Sequence, residues 1–363
     1  MKTPIWLKRF ERNFNLLRSG LNYSEIERLI KSETPTVYEF YSREIQKPDH
    51  KGSFLIRTFV LARNLFITFI IKMAPIRRFI YILGILLFFH GLIAGMLLSV
   101  LFGFLLINLL LAFEMADKLT AKDELEIARQ IQTTLIPNKA PTHPLFDIAF
   151  FMETAREVGG DFFDFLTPAD NNSVVVLVGD ISGKGMAAAL HMVQVNTVVQ
   201  SLQKRELIDM LVELNGKMYP LLKPAQFVTV SLAHLLADGA VRIARAGHFP
   251  FIHYSSRTKF CTKLTPSGIG IGLSDNVTFA KTIEQITIQP EKNDILVLYS
   301  DGLVETRDRN KVEFGETALE NLIKTYANLP AKGIQETILR KIITYRGVMP
   351  PHDDVTLIVI KAV

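Results

Sequence analysis

The feature that most constrains this chain is a run of 35 residues without a charged side chain, Phe79 to Phe113. As one helix at ~1.5 Å per residue it would be about 50 Å long, well beyond a hydrocarbon core of ~30 Å. Two short membrane spans fit better, turning near His90-Gly91 or at Gly95. Lys72, Arg77 and Arg78 precede the run, and Lys118 and Lys122 follow it. Basic flanks stay on the cytosolic side, so both ends are expected there and the number of spans is even. The preceding segment, 54–78, is apolar but carries Arg57 and Arg63, each costing on the order of 3 kcal/mol at a bilayer centre. It is read as an amphipathic basic segment on the membrane surface, with a third span as the alternative. Residues 1–53 mix helical patterns with polar turns and lack the apolar core of a signal peptide, so they read as a small cytosolic helical segment.

Composition agrees with a membrane part: 48% of the residues are hydrophobic. The formal charge is +5, and much of the basic excess sits beside the apolar run. That is membrane topology, and no nucleic-acid partner is expected. The single cysteine, Cys261, excludes an internal disulfide and a thiolate metal cluster.

Residues 114–137 continue as a polar helical pattern that Pro137 ends. Ala121, Leu125, Ala128, Ile131 or Gln132, and Leu135 fall on one face. This narrow stripe predicts either a parallel coiled coil, hence a homodimer, or packing of the linker against its own domain.

From 145 to 363 the pattern changes to many short strands with separate helices at Ala187–Leu202, Lys204–Leu222, Phe314–Tyr326 and Gly333–Tyr345. Short polar turns such as Ala237-Asp238-Gly239 indicate antiparallel pairing, and the distribution predicts an α+β layered fold. The strand Ser173–Gly179 runs into Asp180 and the turn Ile181-Ser182-Gly183-Lys184-Gly185. Asp161 follows Gly159-Gly160, Asp301 follows the strand Ile295–Ser300, and Asp353-Asp354 immediately precede the last strand. An aspartate beside a glycine is usually a turn former. Four such positions from distant parts of one domain make a converging carboxylate set, and oxygen ligands without histidine suit Mg²⁺ or Mn²⁺. Val277–Ile288 reads as another strand, and Gly268-Ile269-Gly270-Ile271-Gly272 as a flexible loop.

The order and flanks of these motifs resemble the PPM/PP2C-type protein serine/threonine phosphatases, in particular the bacterial stage II sporulation E and RsbU-like branch. The matching stretches are Glu124 to Gln132 with Leu135-Ile136-Pro137, Ala155 to Phe162, Gly179 to Gly185, Ala246-Gly247-His248, Tyr299 to Gly302, and Asp353 to Thr356. The resemblance implies an αββα two-layer antiparallel sandwich with two Mn²⁺ or Mg²⁺ ions at one sheet edge, and a third ion as an option. It assigns Asp161, Asp180, Asp301 and Asp353 as catalytic metal ligands, with Asp180 bridging and the Ile181 carbonyl contributing. Asp354 would support the site or hold the further ion. Metal-activated water, not a protein nucleophile, would attack phosphorus. Arg156 and Lys184 are candidate contacts to the substrate phosphate; the plainer readings are an ion pair of Arg156 with Glu153 or Glu157 and a solvated loop lysine. His248 is expected to hold its turn by hydrogen bonds.

The resemblance further implies a phosphorylated regulatory partner, a STAS-type anti-sigma-factor antagonist. With the hairpin it implies a bacterial cytoplasmic-membrane protein with its catalytic domain in the cytosol. Two other readings compete with this one. Gly159-Gly160-Asp161-Phe162-Phe163 resembles a diguanylate cyclase signature but has Phe162 where that motif carries an acid. A silent membrane-tethered scaffold would have no need of four intact aspartates.

Overall fold

The computed structural model describes residues 54–167, 173–202 and 206–363. The expected N-terminal helical segment, 1–53, lies outside the described residues. The chain divides into two compact units, one ending at Leu119 and the other running from Thr120 to Val363.

In the first unit, α1 (Phe54–Lys72) is followed by α2 (Pro75–Ala94) and by the start of α3 (Leu97–Leu135), whose last residues belong to the second unit. The break falls at Met73-Ala74, so Pro75 to Arg78 open α2 rather than closing the basic segment. Pro75 suits a first helical position because its missing N–H would be unpaired there anyway. Arg78 reaches back to the end of α1, its Nε donating to the Ile70 carbonyl at 3.0 Å. Gly95 turns the chain between α2 and α3 with φ +68°, the left-handed conformation glycine adopts without strain. Glycines also let the two helices approach: a Cβ on Gly103 would sit 2.6 Å from the Phe88 nitrogen, and one on Gly91 2.7 Å from the Val100 nitrogen. Arg77 pairs with Glu114 at 3.2 Å and with Asp117 at 2.6 Å. Among the described residues two helices, α2 and α3, are long and apolar enough to cross a membrane. α3 continues without a break from the apolar run through the linker to Leu135.

Among the described residues the second unit contains ten strands in two five-stranded antiparallel sheets. In chain order the strands are β1 (Phe146–Glu153), β2 (Phe162–Leu166), β3 (Val174–Ile181), β4 (Val228–Leu235), β5 (Val241–Ala246), β6 (Phe251–Tyr254), β7 (Cys261–Leu264), β8 (Gln285–Ile288), β9 (Ile295–Tyr299) and β10 (Val355–Ala362). One sheet has the order β1-β10-β9-β6-β7, the other β2-β3-β4-β5-β8. Their alternation builds three apolar layers. In β3, Val174, Val176 and Val178 face the other sheet, while Val175, Leu177 and Ile181 face the helices α4 (Met186–Ser201) and α5 (Leu207–Met218). In β9, Leu296 and Leu298 face inward, while Ile295, Val297 and Tyr299 meet the helices near the C-terminus. Because both faces of each sheet are covered, these strands read as continuous apolar runs. Each fully buried Val, Leu or Ile contributes roughly 1.5–3 kcal/mol. The result is the expected αββα sandwich.

Three local expectations change. β3 extends through Asp180 and Ile181, which pair with Thr229 and Val228 of β4, so Asp180 lies inside the strand rather than beyond it. The run Val277–Ile288 is split into a short helix, α6 (Asn276–Ala280), and β8 (Gln285–Ile288). Asp275 caps that helix by accepting from the Val277 and Thr278 N–H groups, a signal that outweighs the apolar pattern. The stretch Gly268–Gly272 is packed rather than loose. Ile271 exchanges backbone hydrogen bonds with Val228, and a Cβ on Gly268 would lie 1.9 Å from the Arg245 carbonyl oxygen.

Candidate active site

Strand register brings the aspartates to one edge of the sandwich. Phe162 pairs with Gly179, so Asp161, one residue before β2, stands beside Asp180 near the end of β3. In the other sheet, Tyr299 pairs with Leu357, and the Ser300 N–H donates to the Thr356 carbonyl at 3.1 Å. Asp301 therefore leaves β9 where Asp353 and Asp354 enter β10. Asp301 opens a single-turn helix, α7 (Asp301–Val304), and its Oδ1 accepts from the Gly302 N–H at 2.8 Å.

Each carboxylate has a distinct environment. Asp161 is 2% exposed, and its Oδ2 accepts from the Thr356 hydroxyl at 2.6 Å. Burial and the neighbouring Asp180 push its pKa well above the carboxylate range. Burial, with the charges of Asp301, Asp353 and Asp354, pushes Asp180 up to about 7. Asp301 is raised as well, by burial and then by Asp353. Asp354 accepts from the Ala155 N–H at 2.7 Å, the Gly160 N–H at 2.8 Å and the Asp161 N–H at 3.5 Å. Burial nevertheless raises its pKa. Asp353 meets a cation: Lys184 Nζ stands 2.6 Å from its Oδ2. So Lys184 is not a free loop lysine.

Glycines make this edge compact. A Cβ on Gly160 would lie 2.8 Å from Asp180 Oδ1 and 2.9 Å from the Ile181 carbonyl oxygen. A Cβ on Gly302 would lie 2.0 Å from the Asp354 carbonyl oxygen. Gly183 and Gly185, with φ of +103° and +77°, serve the turn into α4 by conformation, since nothing lies within 4 Å of where their Cβ atoms would be.

The donor set fits a divalent cation. Neighbouring carboxylates raise the pKa values of Asp161, Asp180, Asp301 and Asp354, and Lys184 pairs with Asp353. Such mutual repulsion is what a bound Mg²⁺ or Mn²⁺ would relieve. As the side chains stand, no three His, Cys, Asp or Glu groups among the described residues grip one point. The reason is local: Asp354 is turned onto backbone N–H groups, Asp353 onto Lys184, and Asp161 onto Thr356.

Of the other sequence candidates, Arg156 is exposed in the loop between β1 and β2. Glu153, one of its expected partners, instead accepts from Arg346 at 3.4 Å. His248 is buried, with Nδ1 2.8 Å from the Thr229 hydroxyl, and burial lowers its pKa to about 4. It holds its turn as expected. Sequence reasoning missed Thr356, Ser300 and Arg346. Thr356 follows Asp353-Asp354-Val355, and its side chain points back at Asp161; only strand register could have shown this.

The fold is that of PP2C-type phosphatase domains. The SiaA PP2C domain of Pseudomonas aeruginosa superposes with a TM-score of 0.58 at 18% identity, covering 68% of this chain and 98% of that one. The PP2C phosphatase domain of SpoIIE from Bacillus subtilis, with a fragment of its regulatory domain, gives a TM-score of 0.51 at 16% identity, covering 60% and 63%. In sequence, the chain is 28% identical over 243 residues to the phosphoserine phosphatase RsbU of Bacillus subtilis, 66% of this chain and 70% of that protein. The family model for stage II sporulation protein E (SpoIIE) matches residues 170–363, just over half of the chain. The chain belongs to the SpoIIE family. Asp180, Asp301, Asp353 and Asp354 lie inside the matched stretch; Asp161 and the linker precede it.

Proposed function

We propose that this chain is a membrane-anchored, Mn²⁺- or Mg²⁺-dependent phosphatase that removes phosphate from serine or threonine of a regulatory protein. The observation that carries the reading is the edge cluster Asp161–Asp180–Asp301–Asp353, whose charges repel one another and which, among the described residues, is paired with Lys184. Asp161, Asp180, Asp301 and Asp353 would hold two ions together with the Ile181 carbonyl, and Asp354 supports the turn that carries Asp161. Bound there, the ions supply Lewis acidity for hydrolysis of a phosphoric monoester. The chain's own groups do the rest. Thr356 fixes the rotamer of Asp161, Gly160 leaves room for Asp180 and the Ile181 carbonyl, and Asp180 can hold or release a proton near neutral pH. Lys184, on a glycine-flanked turn, and Arg156, in an exposed loop, are the cations available to an incoming phosphate.

The match to the phosphoserine phosphatase RsbU supports a phosphoserine protein as substrate, and the partner proposed is a phosphorylated anti-sigma-factor antagonist of the STAS type. The two long apolar helices support a hairpin at 79–113 in the bacterial cytoplasmic membrane, with α1 (Phe54–Lys72) at its surface. The linker 114–137 then leads to a phosphatase domain at 145–363 in the cytosol. On the linker, Leu125, Ala128 and Leu135 are half-buried and Gln132 is buried, whereas Ile127 and Ile131 are more than half exposed. The first set supports packing within the chain, and the second leaves a face for a homodimer. A phosphoproteomic comparison of cells carrying the wild-type chain or Asp180→Asn tests the reading. Phosphoserine or phosphothreonine should accumulate on one regulatory protein in the variant; unchanged phosphorylation throughout would remove the proposal.

A further inference from the structure

The buried amide of Gln132 is a polar group that the reaction does not use. It lies three residues before the end of α3 and is 6% exposed. Its Nε2 donates to the Gly159 carbonyl at 3.0 Å, and its Oε1 accepts from the Gly159 N–H at 3.3 Å. The side chain thus pairs with a backbone unit the way a neighbouring strand would, satisfying both groups of one residue. A buried pair of this kind is costly to half-break, because the surviving donor or acceptor has no water to turn to.

What Gln132 holds is the turn that underlies the acidic edge. Next to Gly159, the Gly160 N–H donates to Asp354 Oδ2 at 2.8 Å, and the Gly160 carbonyl accepts from the Ile181 N–H at 3.3 Å. The clearances are small: a Cβ on Gly159 would lie 2.4 Å from Asp354 Oδ2, and one on Gly160 2.8 Å from Asp180 Oδ1. Asp161 is the next residue. A shift of the Gly159 peptide by a few tenths of an ångström is therefore felt at Asp354, at Asp180 and at the position of Asp161.

We propose that Gln132 is a positioning residue: through its two hydrogen bonds to Gly159, the end of the linker helix sets the spacing of Asp161, Asp180 and Asp354, and with it the affinity of this edge for a divalent cation. The inference rests on the metal-dependent reading above. It gives the linker a defined physical handle on the site, two hydrogen bonds at one glycine, in place of a general contact between helix and domain.

The test is calorimetric titration of Mn²⁺ into the full chain in detergent micelles, for wild type, Gln132→Ala, Gln132→Glu and the exposed control Gln130→Ala. Gln132→Ala should weaken Mn²⁺ binding about tenfold. Gln132→Glu, which keeps the acceptor for the Gly159 N–H but turns an oxygen onto its carbonyl, should weaken it as well. Gln130→Ala should bind like wild type. A Gln132→Ala affinity within twofold of wild type, even with a lowered melting temperature, would make Gln132 merely structural and overturn the proposal. Wild type that takes up no Mn²⁺ would instead overturn the metal reading, and the proposal with it. Should the Gln132 variants not fold, hydrogen exchange on wild type decides. Coupling is reciprocal, so saturating Mn²⁺ must slow exchange in the peptide containing Gly159 and Gly160, and unchanged exchange there would refute the link.

Discussion

Replacing Asp354 by asparagine separates its structural part from that of its neighbour Asp353. The carboxylate accepts from Ala155, Gly160 and Asp161 N–H groups, at 2.7, 2.8 and 3.5 Å, using both oxygens. Asparagine has one acceptor oxygen, so either the Ala155 or the Gly160 N–H would face an amide NH₂. A buried donor left without a partner costs about 1–3 kcal/mol. Removing the charge gives part of this back, since burial and Asp353 already disfavour the ionised form. The net loss should be about 1–2 kcal/mol, which for a unit of this size lowers Tm by about 3–6 °C. Scanning calorimetry of metal-free protein in micelles reads this. Titration with Mn²⁺ should show a smaller loss of affinity than Asp180→Asn gives. If Asp354→Asn leaves Tm unchanged and abolishes Mn²⁺ binding, Asp354 is a ligand and the backbone-clamp reasoning is wrong.

Three further outcomes follow from the same geometry. His248 is held neutral by burial, with its pKa lowered to about 4 from an unfolded value of 6.5. The unfolded chain thus binds the extra proton first, and stability that is complete above pH 6.5 is lost, by up to about 3 kcal/mol, as pH falls toward 4. Denaturant titrations of wild type and His248→Gln across that range should differ in slope, and parallel curves would remove His248 as the cause. Asp180 holds a proton below about pH 7, so an ion must displace it; Mn²⁺ affinity should fall by about tenfold per pH unit below 7, and a flat profile would contradict this. Gly268→Ala places a Cβ 1.9 Å from the Arg245 carbonyl oxygen and should cost about 3 kcal/mol in a melting experiment, whereas a flexible loop there would tolerate it.

Much of the architecture was legible because its signals are local. The uncharged run and its basic flanks marked the hairpin, although only Gly95 in the left-handed region fixed the turn between the two candidates. Continuous apolar strands separated by short polar turns such as Ala237-Asp238-Gly239 pointed to antiparallel layers. Capping misled the pattern reading at Asp275, where a side chain accepting two N–H groups starts a helix inside an apolar run. The aspartates could be found one by one from the glycines beside them, but their convergence depends on strand register across both sheets, which no local pattern encodes. The same holds for Thr356 on Asp161, for Lys184 on Asp353, and for Gln132, which sits in an apolar stripe and looked like a weak member of it.

On the proposed reading, the carboxylate edge holds divalent cations for phosphate-ester hydrolysis. Phosphate release from a phosphoserine protein by the full chain in micelles tests it most directly. Release should require Mn²⁺ or Mg²⁺, stop on adding EDTA, return when Mn²⁺ is restored, and be absent in Asp180→Asn. Release that continues in EDTA, or that Asp180→Asn leaves undiminished, would contradict the account.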